Sequence, residues 1–172
     1  MRVFSFLFLF YFTIGCKTQE KTTSNNTFIS QDVNCPDTGN CTLEIFKNAN
    51  LNVLTDAFGN IYPKIIAGDK WVIKYELKKP VLENVADSNY SEFIYFEVDK
   101  NFKQITLKNE TLQNTKMLFG RICFCRESMG YFNVTQGNLS LTKNKKEVQI
   151  KLQFEVNKVP QIITQINGNI LF

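Results

Sequence analysis

The chain has 172 residues, no histidine, five cysteines and 16 phenylalanines, with 20 Lys+Arg against 16 Asp+Glu. Without histidine, every scheme that uses imidazole as base, acid or metal ligand is excluded, among them Ser-His-Asp hydrolysis, Cys-His proteolysis and His-ligated zinc. The formal charge of +4 is spread without a block of five like charges, so no nucleic-acid surface of clustered Lys and Arg is expected.

Met1 and Arg2 form a short positive start, and Val3 to Ile14 is an apolar run of twelve residues with five phenylalanines and no charge. A helix needs roughly 20 residues to span a bilayer, so residues 1–15 read as an export signal and not as a membrane span. The run ends in Thr13-Ile14-Gly15-Cys16, which resembles the lipobox of bacterial lipoproteins, with Thr13 where that pattern prefers leucine. Cys16-Lys17-Thr18-Gln19-Glu20 is similar to the tether start of exported lipoproteins of Bacteroidota. The resemblance implies cleavage before Cys16, acylation of its thiol and anchorage in the cell envelope. By analogy with known sorting signals, Lys17 after the cysteine points to the outer membrane. One acyl chain holds a protein only marginally, whereas several hold it durably. The competing reading is an ordinary secretory leader in which Cys16 is incidental and the product is secreted without lipid. In a eukaryotic setting the six N-x-S/T sequons, at Asn25, Asn40, Asn89, Asn109, Asn133 and Asn138, would then carry glycans. With 19 asparagines in the chain, these sequons are read as compositional.

Residues 16–31 are polar and rich in Thr, Ser and Asn. They read as a flexible tether behind the lipidated cysteine, with Phe28 and Ile29 as a possible start of the first strand. Residues 32–172 then form one domain of about 140 residues, enough to bury roughly two-thirds of its unfolded surface.

Val148, Ile150, Leu152, Phe154 and Val156 alternate with polar residues, a period of two that fits a half-buried strand and no helix. Trp71, Ile73, Tyr75 and Leu77 repeat the pattern. Shorter apolar runs mark strands at Thr42 to Phe46, Leu51 to Leu54, Ile61 to Ile66, Phe93 to Val98, Ile105 to Leu107, Met117 to Cys125, Tyr131 to Val134, Leu139 to Leu141 and Gln161 to Ile166. Turn residues separate them at Asp56 to Asn60, Gln136-Gly137-Asn138, Lys143 to Lys146 and Asn167-Gly168-Asn169. The one helical candidate is a short turn at Lys108 to Thr115. The pattern predicts an all-β fold, a single antiparallel β-sandwich or flattened β-barrel.

Beyond Cys16, the cysteines are Cys35, Cys41, Cys123 and Cys125, an even number in an exported chain, so disulfides are expected. Cys123 and Cys125 lie two apart in a predicted strand, where their Cα atoms would be about 6.7 Å apart with parallel side chains. They are therefore expected not to bridge each other but to pair with Cys35 and Cys41, closing a loop of some 80 residues. The alternatives are a Cys35–Cys41 bridge that leaves two free thiols, a redox pair, or a four-thiolate metal site, whose C-x5-C and C-x-C spacing lacks zinc knuckles.

Other chemistry is sparse. Ser140-Leu141-Thr142-Lys143 matches the letters S-x-x-K, but at a strand end and without companion motifs. Glu97 and Asp99 share a strand face and read as a solvated edge. Arg121 and Arg126 flank Cys-x-Cys and read as surface arginines. Lys116-Met117-Leu118-Phe119-Gly120-Arg121-Ile122-Cys123-Phe124-Cys125-Arg126 is similar to a stretch in lipoproteins of Bacteroidota, and no activity comes with that resemblance. The expectation is a lipid-anchored binding or structural module of the envelope, not an enzyme. It would bind a protein or glycan ligand, with the membrane held through its anchor and with no cofactor, metal or nucleic acid.

Overall fold

The computed structural model describes residues 27–30, 33–81, 83–84 and 87–171. The expected leader, Cys16 and most of the expected tether lie outside these residues. The described residues form an all-β sandwich of two antiparallel sheets, not closed into a barrel. The strands are β1 (Thr27–Ser30), β2 (Asn40–Thr55), β3 (Ile61–Lys78), β4 (Tyr90–Asp99), β5 (Gln104–Lys108), β6 (Leu118–Cys123), β7 (Gly130–Asn133), β8 (Gln136–Lys143), β9 (Glu147–Glu155) and β10 (Gln165–Leu171), with one 3-10 helix at Asn109–Thr115. Six strands in the order β1-β2-β3-β4-β6-β7 face four in the order β10-β9-β8-β5.

The alternation explains the core. Leu43 and Ile45 of β2, Ile73, Tyr75 and Leu77 of β3, and Ile94 and Phe96 of β4 point inward from the larger sheet. They meet Leu139 and Leu141 of β8 and the inward phase of β9, Val148, Ile150, Leu152 and Phe154. Phe119 of β6 and Phe154 meet across the gap with ring centroids 5.9 Å apart. The sheets are also joined at one side: Val33 bridges Gly168, the Asn34 amide donates to the Asn167 carbonyl at 2.9 Å, and the Tyr75 hydroxyl donates to the Asn34 carbonyl at 3.1 Å.

Three expectations are corrected. Thr42 to Phe46 and Leu51 to Leu54 are one strand, as are Ile61 to Ile66 and Trp71 to Leu77, because a bulge interrupts the pattern without ending the pairing. Ala49 faces both Lys70 and Ala67, and Asn48 takes φ 53° to make the bend. Asn167-Gly168-Asn169, read as a turn, lies inside β10. Its glycine serves close approach, since a Cβ there would stand 3.0 Å from Val33 and 3.1 Å from Leu43. Gln136-Gly137-Asn138 likewise opens β8 and is not a turn.

The bulge folds the distal half of the β2–β3 hairpin over the outer face of the larger sheet. A second, smaller apolar cluster fills the space beneath it, with Ala49, Leu51 and Val72 at its centre and Phe46, Ile65 and Tyr95 around them. The hairpin tip thereby reaches β7 at the far edge.

Candidate functional site

The structure divides the four described cysteines into two local pairs, Cys35–Cys41 and Cys123–Cys125. This overturns the expected long-range pairing, and the register gives the reason. Cys41 sits opposite Leu77, Leu77 opposite Glu92 and Glu92 opposite Arg121. Two strands therefore separate β2 from β6, about 14 Å in three steps of the usual inter-strand spacing, too far for a disulfide. The same separation keeps the four sulfurs from gathering as a metal site, and among the described residues no group of three or more Cys, Asp or Glu is placed to hold an ion.

Cys123 and Cys125 do bridge because the strand stops between them. β6 ends at Cys123 and the chain bends at Phe124, which brings the two Cα atoms to 5.2 Å, inside the usual disulfide range. In the chain-entropy account, closing so short a loop stabilises the fold by about 1.6 kcal/mol, against about 4.5 kcal/mol for the 80-residue loop first expected.

Behind this bond lies a polar network that sequence reasoning missed. Glu92 of β4 is fully buried and accepts hydrogen bonds from the Ile162 amide at 2.8 Å, the Ile163 amide at 2.7 Å and the Tyr90 hydroxyl. Arg121, read as a surface residue, is 9% exposed. Its Nε donates to the Tyr90 hydroxyl at 3.2 Å, and its Nη1 donates to the carbonyl and hydroxyl of Ser128 at 2.7 and 2.6 Å. Burial and the Glu92 carboxylate raise the Tyr90 hydroxyl above its ordinary value, against the pull of Arg121. One signal was present in the sequence: Glu92 occupies the inward phase of the strand that places Ile94, Phe96 and Val98 in the core.

Glu97 and Asp99 do not act as a pair. Asp99 is exposed and accepts from the Asn101 amide at 2.7 Å. Glu97 is 2% exposed and takes Lys70 at 2.6 Å, Lys116 at 2.9 Å and the Leu51 amide at 2.8 Å. Burial pushes its carboxyl up, but the two ammonium groups and the amide together hold it below the ordinary carboxylate value. Lys116 reaches this site from an αL residue that ends the 3-10 helix.

Ser140 and Lys143 lie three apart on β8 and so project to opposite faces. The Lys143 ammonium lies 4.5 Å from the Trp71 ring centre, with Lys47 at 4.9 Å, and burial lowers the pKa of both lysines. Arg126 is exposed and stands 3.9 Å from Glu127.

Several clefts open on the described surface. One, of about 580 Å³, separates the hairpin tip at Asn60 and Tyr62 from Met129 and Tyr131. Another, of about 900 Å³, lies over β8 and β9, where the amides of Asn138, Gln153 and Gln161 share the lining with the charged Glu155 and Lys158. Gln161 is committed to the fold through the Val156 amide and the Ile163 carbonyl. Asn138 and Gln153 face each other across the strand pair. The chain matches no protein-family model, no curated protein and no solved structure in the three comparisons made.

Proposed function

We propose that the chain is an exported lipoprotein, acylated at Cys16, whose β-sandwich serves as a binding module at the outer membrane. The observation that carries the reading is the Cys35–Cys41 bond. Cys35 is exposed, and an exposed local disulfide is kept in oxidising compartments and lost in reducing ones, which agrees with the export signal and lipobox read at the N-terminus. The cleft over β8 and β9 supports a binding role, since the amides of Asn138 and Gln153 beside Glu155 and Lys158 offer donors and acceptors for the hydroxyls of a glycan.

Detergent phase separation of the full chain, expressed with its leader, tests the anchor. The parent should enter the detergent phase and Cys16→Ser the aqueous phase. Equal partitioning of the two into water would rule out acylation.

A further inference from the structure

The Cys123–Cys125 bond joins residues two apart in sequence. A cross-link stabilises by restricting the unfolded chain, and the effect shrinks with the loop it closes. This bond closes a three-residue loop and ties β6 only to its own end, so it is a poor clamp. Its surroundings suit chemistry better. Phe124, between the two cysteines, is 83% exposed, and Met129 on the following loop is 61% exposed. Cys125 is half-buried whereas Cys123 is buried, which makes Cys125 the more accessible residue of the pair.

Arg121 braces the site from beneath. It precedes Cys123 by two residues on the same face of β6. It holds Tyr90, which sits opposite Cys123 across the β4–β6 pair, and Ser128, in the loop that follows Cys125. Across the β4–β6 pair Arg121 faces the buried Glu92, and the two share the Tyr90 hydroxyl.

We infer that Cys123 and Cys125 form a thiol–disulfide exchange site that oxidises paired thiols of non-native polypeptides. A substrate thiolate attacks Cys125 Sγ, the Cys123–Cys125 bond breaks, and Cys123 leaves as a thiolate that takes a proton from solvent. The second substrate thiolate then attacks the substrate sulfur of the mixed disulfide and expels Cys125, which is protonated in turn. The substrate loses two electrons and two protons and gains a disulfide, and the cysteine pair gains both. A second disulfide of the same class restores the pair by the reverse steps. The exposed Phe124 and Met129 give the apolar segments of an unfolded chain a place to rest. The inference does not depend on acylation of Cys16.

The test equilibrates the full oxidised chain in graded mixtures of reduced and oxidised glutathione, followed by alkylation and peptide mapping of each pair. Cys123–Cys125 should open at a glutathione ratio at least tenfold more oxidising than Cys35–Cys41. The oxidised parent should also convert an apolar peptide with two thiols to its disulfide at least tenfold faster than the double variant Cys123→Ser, Cys125→Ser. Opening of Cys35–Cys41 first, or equal peptide oxidation by parent and variant, would overturn the inference. The glutathione titration uses the unmodified chain, so a variant that folds poorly does not remove the test.

Discussion

Glu92 on β4 accepts a hydrogen bond from the Ile163 amide at 2.7 Å, although 71 residues separate them in sequence. The carboxylate belongs to the six-stranded sheet, and the amide to the segment that enters β10 of the four-stranded one. With the Ile162 amide on the same group, a fully buried charge pins one sheet to the other. A buried carboxylate that accepts several donors is stable only while each is present.

Glu92→Gln is therefore expected to destabilise more than an ordinary surface change. Its amide nitrogen would face a backbone donor, and the Tyr90 hydroxyl would lose a charged acceptor. The cost should be about 2–3 kcal/mol, the range for losing charge-assisted bonds at a buried site. Urea unfolding followed by the fluorescence of Trp71, the one tryptophan in the chain, measures it. An unchanged midpoint would contradict the pinning role.

The Glu97 site gives a pH dependence. Its carboxyl is held below the ordinary value in the folded chain by Lys70, Lys116 and the Leu51 amide, against the effect of burial. A depressed carboxyl stabilises fully above the unfolded-state value and loses that stabilisation as the pH falls through the folded-state value. Stability of the parent should thus fall on acidification below the ordinary carboxylate range, and Glu97→Gln should flatten that part of the curve. The same urea titration at graded pH reads both. A variant curve parallel to the parent's would assign the acid response elsewhere.

Much of the fold was legible in the sequence because alternation reports which face of a strand is buried. β9 and the second half of β3 follow directly from Val148 to Val156 and Trp71 to Leu77. The cysteine pairing was not legible. It depended on where β6 stops, and the apolar run from Met117 to Cys125 carries no mark at Cys123. Glycine was ambiguous for a related reason. Gly168 and Gly137 look like turn residues, but each sits where another segment of the chain passes close by, and close approach leaves the same letter as a turn. Of the candidate site, the cysteines could be named in advance, whereas Tyr90, Glu92 and Arg121 meet only through a register that one sequence does not display.

Two glycines separate these uses. Gly137 has φ 142°, and a Cβ there would stand 2.2 Å from the Gln153 carbonyl oxygen, whereas Gly59 has φ 86° with nothing within 4 Å. Gly137→Ala should cost about 3 kcal/mol, by backbone conformation and overpacking together. Gly59→Ala should cost only about 1 kcal/mol, from the left-handed backbone alone. Thermal unfolding of the two variants should order them in this way, and equal midpoints would refute the close approach at β8.

Removing the two disulfides should have modest and unequal effects. The chain-entropy account gives about 1.6 kcal/mol for the pair Cys123→Ser, Cys125→Ser and about 2.4 kcal/mol for Cys35→Ser, Cys41→Ser. Denaturant midpoints decide it. A larger loss at Cys123 and Cys125 would mean that this bond holds more of the fold than its own turn.

Intact-mass measurement of the protein recovered from its native envelope tests export and anchorage at once. The expected species begins at Cys16, carries added acyl mass on that residue and takes up no alkylating agent until it is reduced. A chain that keeps residues 1–15, or one that begins elsewhere without lipid and with free thiols, would contradict it.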